Sequence, residues 1–381
     1  MNVHRIATLG LILLLTHSAL AADARELRFP NLKDGRLVLS VDTHTHSVFS
    51  DGHVWPTVRV WEANKDRLDG MAITEHLEYQ PYRKDIPHPD RNRAFELAAK
   101  ENKKGRERTD LLLIPGAEIT RKYSPGHVNA IFINDANPLL TTKNRREETY
   151  ENAREALREA KAQQAFMIWN HPAWQNDFPD GVIKISKDQQ ALFDEGLIHG
   201  IEVANGEYFN DSSLQVALDH DLTIIGASDI HGLIDYDYDI SKGTHRTVTL
   251  VFAEERSVKG IAQALFQKHT VALYDRQFIG RDAELGALFN SFVSFERLPS
   301  RRKDRQQTTV RISNTGPIAV ELKVAGNVSL NKSVGYITVP ATGSAIITVL
   351  DRTANYQIDL ELVWVNSWKA PKAHASVQIS L

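Results

Sequence analysis

The sequence predicts an α/β protein with a mainly parallel sheet, followed by a small antiparallel β domain. The first prediction rests on two observations: short apolar runs alternate with amphipathic stretches, and metal-type polar residues follow the ends of several runs. Repeated strand-then-helix units favour a parallel sheet, either closed into a barrel or doubly wound. The second prediction rests on the alternation of apolar and polar residues from Thr308 onward, which is typical of half-buried strands.

Residues 1–21 have the pattern of a secretory signal peptide. His4 and Arg5 provide a basic start, residues 9–15 form an apolar core, and residues 19–21 match the small-x-small cleavage pattern. This core is too short to span a bilayer, and no later apolar stretch is long enough. Because the chain has no cysteine, neither disulfides nor a lipid-anchored cysteine can form. We expect an exported protein, most simply periplasmic, without a membrane span.

The charge balance limits the classes of ligand. The chain has 45 basic and 48 acidic residues, with a formal net charge of −3. Binding to nucleic-acid polymers needs a basic field, so we do not expect it here, whereas a small anionic substrate held by a few local cations remains compatible. No Gly-x-Gly-x-x-Gly follows a strand and no phosphate-loop signature is present, which argues against a nucleotide cofactor.

The apolar runs define the predicted elements. We predict strands at residues 37–41, 68–74, 111–114, 128–133, 166–169, 201–204, 222–227, 248–252 and 271–274. We predict helices at residues 91–103, 146–163, 212–220, 258–268 and 285–292.

The first strand is followed by two histidines, His44 and His46, that are separated by one residue. On an extended backbone alternate side chains share a face, so His44 and His46 can reach one point in space. Converging neutral imidazoles are typical ligands of a divalent transition metal. The turn at Asp51-Gly52 leaves a carboxylate near the same place. Taken alone, a His-x-His pair also occurs in solvated loops.

Further metal-type residues follow later strands. In parallel α/β architectures the carboxyl ends of the strands form the mouth of the active site. We therefore expect one rim to collect Asp42, His44, His46, Asp51, His76, Glu118, His171, Asp229 and His231. His127 begins a strand and would reach this rim only through the preceding loop. A structural hydrogen bond explains any single member equally well, but the repetition favours a metal site, while we expect packed or solvated side chains at His88, His199, His220, His269 and His374.

These residues resemble the PHP (polymerase and histidinol phosphatase) domain. Its signature combines Asp-x-His-x-His, Ser-Asp-Gly, Thr-Asp-His, Gly-x-Glu, Asn-His-Pro and Ser-Asp-x-His, and the match extends from about Val41 to Tyr274. Glu75 replaces the Asp of Thr-Asp-His. The runs at residues 86–93, 126–131 and 228–235 are similar to secreted Sb-PDE family phosphodiesterases, in which a PHP domain precedes a C-terminal β domain.

The resemblance implies a distorted (β/α)₇ barrel that holds two to three divalent metal ions. It assigns the first metal to His44, His46, Glu118 and Asp229. Glu118 would bridge to a second metal held by His127 and His171, and Asp51, His76 and His231 would hold the third. The catalytic candidates are Glu118, Asp229 and His231. Mixed imidazole and carboxylate ligands suit manganese, zinc or iron, of which we favour manganese.

Such a site suits metal-dependent hydrolysis of a small-molecule phosphate ester, and we favour a phosphodiesterase. The alternatives are a phosphomonoesterase of the PHP type and a non-catalytic exported metal- or ligand-binding protein. The candidates for contact with the substrate are Arg121, Lys122, Asn205, Tyr208, His245 and Arg246, although cationic residues in such positions are more often solvated surface charges. The sequence leaves the oligomeric state open.

The predicted domain organisation has four parts. A signal peptide at residues 1–21 precedes a PHP metallohydrolase domain at residues 22–280 and a helix with a linker at residues 281–305. Residues 306–381 resemble a small β-sandwich of immunoglobulin type, with strands at residues 310–312, 320–324, 336–339 and 358–362. This region contains no ligand cluster, so packing or partner contact is its expected role.

Overall fold

The structure is a computed structural model of the chain. It describes residues 26–105, 110–142, 147–174, 178–239, 244–299, 307–326, 328–331, 335–350 and 358–381. The predicted signal peptide and the charged linker at residues 301–305 lie outside the described residues. Within the described residues, no helix combines the length and the apolar composition that crossing a membrane would require.

The strands and helices are numbered along the chain. The strands of the first domain are β1 (Leu37–Asp42), β2 (Gly70–Ile73), β3 (Leu112–Thr120), β4 (His127–Ile131), β5 (Phe166–Trp169), β6 (Gly200–Asn205), β7 (Tyr208–Phe209), β8 (Thr223–Ala227), β9 (Val248–Ala253), β10 (Thr270–Tyr274) and β11 (Gln277–Gly280). The helices are α1 (Pro56–Lys65), α2 (Arg93–Asn102), α3 (Tyr150–Ala162), α4 (Lys187–Asp194), α5 (Asp211–Asp219), α6 (Ile234–Asp237), α7 (Val258–Phe266) and α8 (Asp282–Phe292), with a 3₁₀ turn at Asn137–Leu139.

Local capping sets several helix starts. The predicted helix at residues 146–163 begins at Tyr150, because the Thr149 side chain accepts the backbone N–H of Asn152 in a capping box. Helix α1 lies where no helix is predicted and begins with Pro56, whose missing N–H costs nothing at a first helical position.

The first domain is built on one curled sheet. Its order is β19-β11-β10-β9-β1-β2-β3-β4-β5-β6-β7, with β8 also paired to β6, where β19 (Ser367–Trp368) comes from the C-terminal part of the chain. The predicted mainly parallel sheet is in fact mixed: β1-β2-β3 and β5-β6-β8 are parallel, and β3-β4-β5 and β1-β9-β10-β11 are antiparallel. For two of the antiparallel pairs the reason is local, because short turns rather than helices join β3 to β4 and β10 to β11.

The sheet closes into a distorted barrel between the ends of β1 and β8. The segment after β1 pairs with the segment after β8 at Thr45 and Ile230, so that the backbone N–H of Asp229 reaches the carbonyl of His44 at 3.0 Å. A threonine hydroxyl connects β8 to β9 deeper in the barrel, where Thr249 Oγ1 donates to the carbonyl of Gly226 at 2.8 Å. Gly226 permits this approach, since a Cβ there would lie 2.8 Å from a backbone oxygen of β9. The predicted barrel is therefore confirmed.

The C-terminal domain is the expected β-sandwich. One antiparallel sheet has the order β12-β13-β17-β15 and the other β16-β14-β18-β20. The strands are β12 (Val293–Leu298), β13 (Gln307–Asn314), β14 (Val320–Ala325), β15 (Ser329–Leu330), β16 (Tyr336–Val339), β17 (Gly343–Leu350), β18 (Asp359–Trp364) and β20 (Ala375–Ser380). Burial alternates residue by residue along β13, as the sequence pattern requires. Strand β12 lies within the stretch predicted as a linker.

The two domains share one hydrophobic core. Phe278 of β11 and Phe289 of α8 pack on Trp364 of β18, with ring centroids 4.7 and 5.1 Å apart. All three side chains are fully buried. Burial of aromatic rings of this size stabilises the folded state strongly, so the C-terminal domain and the barrel support each other.

Candidate metal centre

Four buried donor atoms converge where the barrel closes. His44 Nε2 and His46 Nε2 lie 2.9 Å apart, and Asp229 Oδ1 lies 3.2 and 3.1 Å from them. Glu118 Oε2 lies 3.5 and 3.3 Å from the same two nitrogens. Donor atoms that share a metal at about 2.1 Å are spaced in this way. The structure thus brings together the four residues assigned to the first metal.

The backbone at Asp229 turns its carboxylate into this cluster. Asp229 has a φ of 49°, a left-handed conformation that aspartate tolerates better than most residues. His171 also has a positive φ, of 28°. Strained backbone of this kind persists where the surrounding structure holds it and is typical of functional sites.

The two oxygens of Glu118 face two different groups of ligands. While Oε2 faces the first group, Oε1 lies 2.8 Å from His127 Nδ1 and 3.7 Å from His171 Nε2. His127 reaches the site because β4 runs antiparallel to β3, with Thr120 opposite His127, so the start of β4 lies beside the end of β3. The hairpin, and not a long loop, brings it there. Glu118 therefore has the geometry of a bridging ligand.

A third group lies on the opposite side of His46. Asp51 Oδ1 is 3.3 Å from His76 Nε2 and 3.1 Å from His231 Nε2. His46 Nδ1 is 3.9 Å from the same oxygen. The ring of His46 stacks on those of His76 and His231, with centroids 4.5 and 4.4 Å apart. These are the three residues assigned to the third metal, with His46 between the groups.

The donor atoms themselves fit bound cations. Four buried atoms of the centre have no hydrogen-bond partner among the described residues: Asp51 Oδ1, Glu118 Oε2, His127 Nδ1 and Asp229 Oδ1. A buried polar atom without a partner is unfavourable, so native proteins satisfy nearly all of them. The groups His46-Asp51-His76-His231, His44-His46-Glu118 and His76-Glu118-His127 each have donor atoms within 4.8 Å of one another. Divalent metal ions would satisfy these atoms.

The electrostatics of the centre favour ionised carboxylates. Burial alone would raise the pKa of Glu118, but His76, His127 and His44 hold it well below its usual range. Burial and the neighbouring His76 and His231 lower the pKa of His46 to about 3, so this imidazole stays neutral. Burial opposes charge on His76 as well, yet Glu118 and Asp51 raise its pKa to about 10. Without metal, a proton on His76 balances the neighbouring carboxylates, so a metal ion that binds His76 must displace this proton.

Glu202 is a functional residue that the sequence analysis missed. Its Oε1 accepts a hydrogen bond from His44 Nδ1 at 2.8 Å, and its Oε2 accepts the backbone N–H of His171 at 2.7 Å. The hydrogen bond fixes the tautomer of His44 and leaves Nε2 free to bind a metal. The signal in the sequence was an acid inside the apolar run of β6, where an ordinary core strand has none.

Glu75 holds the loop that carries Asp51. Its carboxylate accepts the backbone N–H of Ser47 at 3.0 Å and the hydroxyl of Ser50 at 2.5 Å. Ser50 Oγ also lies 3.2 Å from His46 Nδ1. The Glu that replaces the Asp of Thr-Asp-His therefore orients a ligand histidine through a serine.

The donor groups open into a cavity of about 520 Å³. Its lining comprises Asp51, His76, Tyr79, Thr120, His127, His171, Trp174, Asn205, Tyr208, Asp229 and His231. Of the candidates for substrate contact, Asn205 and Tyr208 line this cavity. The lining also includes three residues that were not predicted from the sequence: Thr120, the last residue of β3, and Tyr79 and Trp174, which lie in the segments after β2 and β5.

The remaining candidates for substrate contact do not line the cavity. The buried Arg121 pairs with Glu78 at 2.8 Å, and Arg246 pairs with Asp66 and Asp42 at 2.6 and 3.2 Å. His245 is also buried, and its Nδ1 donates to the carbonyl of Arg246. The exposed Lys122 is not among the residues that line the cavity either. Arg121 and Arg246 form these ion pairs because a guanidinium inside a protein needs a carboxylate partner. The structure therefore assigns both to the scaffold.

Comparisons with known proteins support the fold. No protein-family model matches the chain, and no curated protein matches it. A crystal structure from Bacteroides vulgatus, of a two-domain protein containing a predicted PHP-like metal-dependent phosphoesterase, has 40% sequence identity and a TM-score of 0.85. The match covers 93% of this chain and 98% of that one. PsfC from Pseudomonas syringae, with 22% identity over 62% of this chain and 91% of that one, has a TM-score of 0.43 and is too distant to add to this.

The likeness to the Bacteroides protein spans both the barrel and the β-sandwich. It agrees with the three ligand groups described above and with the PHP signature in the sequence. The chain therefore belongs to the PHP-like metal-dependent phosphoesterases.

Proposed function

We propose that the protein hydrolyses small phosphodiesters. The observation that carries this proposal is the charge of the cavity wall: among the described residues that line it, none is a lysine or an arginine. A monoester carries nearly two negative charges at neutral pH, and sites that bind it commonly supply guanidinium or ammonium groups. A diester carries one, which the metal ions and neutral donors can balance.

Neutral polar side chains are present on the wall. Asn205 and Tyr208 face each other across the β6–β7 hairpin, and Tyr208 Oη is buried without a partner among the described residues. Burial raises the pKa of Tyr208, with Glu202 and Asp229 adding to the effect, so the phenol keeps its proton and can donate a hydrogen bond to a phosphate oxygen. Asn205 Nδ2 donates to Glu202 Oε2 at 2.8 Å and thereby connects the wall to the centre.

The wall also offers apolar surface to a second ester group. Tyr79 and Trp174 remain 39% and 46% exposed. The ring of Tyr79 lies 5.9 Å from that of His76, and the ring of Trp174 lies 5.7 Å from that of His171. An ester group on the phosphate would find aromatic faces beside the ligand groups, which a bare terminal phosphate would not use.

The residues of the chain have distinct parts in this reaction. Divalent cations, when bound, lower the pKa of water and neutralise charge on the phosphate. Glu118 would hold two of them, His44 and Asp229 would fix the first, and His231 with Asp51 would hold the third. The ligands combine imidazole and carboxylate without thiolate, a set that suits manganese, zinc or iron, and of these we favour manganese.

The cellular location of the enzyme is also a proposal. The pattern of residues 1–21 supports export, most simply to the periplasm. The similarity of three sequence runs to secreted Sb-PDE family phosphodiesterases supports both export and diester hydrolysis.

The test compares two esters with the same leaving group. Bis(4-nitrophenyl) phosphate and 4-nitrophenyl phosphate are assayed side by side with enzyme saturated with manganese or zinc. We expect the higher kcat/KM for the diester. A tenfold preference for the monoester, about 1.4 kcal/mol of transition-state stabilisation, would assign a phosphomonoesterase instead. Binding of metal without hydrolysis of either ester would point to a binding protein.

A further inference from the structure

The C-terminal part of the chain contributes a strand to the barrel sheet. Strand β19 pairs in parallel with β11, with Phe278 opposite Ser367 and Ile279 opposite Trp368. Asn366 anchors this junction: its backbone carbonyl accepts the N–H of Phe278 at 3.0 Å, and its side chain donates to the carbonyl of Arg276 at 2.9 Å. Strand β19 is thus fixed to the catalytic domain by backbone hydrogen bonds.

The curl of the sheet brings its two end strands together. Strand β19 stands at one end of the sheet and β7 at the other. The ring of Trp368 lies 5.7 Å from the ring of Phe209 on β7, and both belong to one hydrophobic cluster with Tyr274. Tyr274 Oη donates to the backbone carbonyl of Glu207 at 2.5 Å, in the turn that precedes β7. The C-terminal part therefore contacts the β6–β7 hairpin directly.

The same hairpin carries Asn205 and Tyr208, two neutral polar residues of the cavity wall. Neighbouring side chains on a strand point to opposite faces, so Phe209 faces Trp368 while Tyr208 faces the cavity. Tyr208 stands opposite Asn205, whose Nδ2 lies 3.3 Å from Asp229 Oδ2 in the centre. A shift of Phe209 would therefore move the Tyr208 hydroxyl relative to the ligand groups.

Trp368 is itself held in place. Its Nε1 donates to Gln277 Oε1 at 3.0 Å, and its ring packs on His374 with centroids 4.7 Å apart. It also bridges the domains, since the strand that carries it follows β18 of the sandwich after two residues.

We propose that the C-terminal domain is a working part of the active site, in which Trp368 acts as a positioning residue for Tyr208 through Phe209. This inference rests on the proposed phosphodiesterase function. Tyr208 binds a non-bridging oxygen of the phosphodiester, and Trp368 holds its hydroxyl at the required place.

A double-mutant cycle tests this inference on the full-length, metal-loaded enzyme with bis(4-nitrophenyl) phosphate. Tyr208→Phe should lower kcat/KM about tenfold or more, because it removes a hydrogen bond to a charged group. Trp368→Ala should lower it by a similar factor without changing the metal content. In the Tyr208→Phe background, Trp368→Ala should add less than a twofold loss, because the two residues then act through one hydroxyl.

Further variants keep the outcome decisive. Trp368→Phe should retain most of the kcat/KM that Trp368→Ala loses. Tyr336 is an exposed aromatic residue of the sandwich outside the cavity wall, so Tyr336→Ala should leave kcat/KM unchanged. If Trp368→Ala does not fold, Phe209→Leu takes its place in the cycle. This inference would be overturned if Trp368→Ala lowered kcat/KM by the same factor in the wild-type and the Tyr208→Phe backgrounds, or if Tyr208→Phe kept full activity. Neither result would contradict diester hydrolysis itself. A wild-type enzyme inactive on the diester would refute the proposed function itself.

Discussion

Glu202 accepts a hydrogen bond from Nδ1 of His44 at 2.8 Å, inside a barrel where both side chains are fully buried. His44 follows β1, whereas Glu202 lies on β6, so the folded sheet and not the local sequence joins them. The carboxylate favours the tautomer in which the opposite nitrogen of His44 can bind a metal. The orientation of the first ligand is therefore set by a residue that binds no metal itself.

Glu202→Gln should weaken metal binding by about tenfold or more, since the loss of a ligand's supporting carboxylate typically has this effect. Isothermal titration of the metal-free protein with Mn²⁺ or Zn²⁺ measures it without reference to activity. The matched control is Glu207→Gln, an exposed position two residues after β6. Unchanged affinity in Glu202→Gln would show that the hydrogen bond does not tune His44.

Glu118→Gln should abolish turnover while the fold survives. Only a carboxylate can present two equivalent anionic oxygens to two cations, and the neutral amide bridges poorly. The measurement is kcat on the favoured ester together with metal content and circular dichroism. Near-normal activity with full metal content would mean that Glu118 does not bridge.

Arg246→Ala should destabilise the protein by about 3–5 kcal/mol, because it leaves the buried Asp66 and Asp42 without their cation. Urea denaturation monitored by tryptophan fluorescence gives the free energy of unfolding. Arg256→Ala is the control: this side chain is 30% exposed and pairs with Asp69 at 3.1 Å, so its loss should amount to about 1 kcal/mol or less. A stable Arg246→Ala enzyme with a selective loss of activity would return Arg246 to a role in substrate binding.

The donor cluster and the buried arginine differ in how far the sequence predicts them. His44, His46 and Asp51 lie within one short stretch, and His76, His171, Asp229 and His231 follow strand ends, so pattern and resemblance suffice to predict that these donors meet. Arg246 is different, because its partner Asp42 is 204 residues away and the pairing appears only in the folded barrel. An arginine that opens a strand looks the same in sequence whether it is buried or solvated.

The strand directions in the barrel sheet likewise could not be predicted from local sequence. The mixed sheet differs from the predicted parallel one in part because hairpins replace helices after β3 and β10. Turn chemistry alone does not decide the direction of the next strand. That hairpin after β3 is also what brings His127 to Glu118. The contact between Trp368 and Phe209 depends on the curl of the whole sheet, which no local pattern specifies.

Stability should fall below pH 6.5 in part because of His88. This side chain packs on Phe49, and burial lowers its pKa to about 4. Between these values the unfolded chain binds a proton that the folded protein excludes, so the free energy of unfolding decreases as pH falls from 6.5 towards 4. The slope from one such group is at most about 1.4 kcal/mol per pH unit.

Comparison with His88→Asn isolates this contribution. Both proteins are unfolded in urea at intervals from pH 4.5 to 7.5 with EDTA present, so that loss of metal does not enter. The difference in free energy of unfolding, wild type minus variant, should shrink as pH falls. A difference that is constant across this range would show that His88 takes up its proton equally in the folded and unfolded states.

The metal content of the purified protein tests the central claim most directly. The three groups of donors around His46 and Glu118 predict two to three divalent ions per chain after expression with manganese or zinc supplied. Inductively coupled plasma mass spectrometry on desalted protein, normalised to chain concentration, gives the number. Two to three ions per chain would support the bridged centre described above, and fewer than one would contradict it.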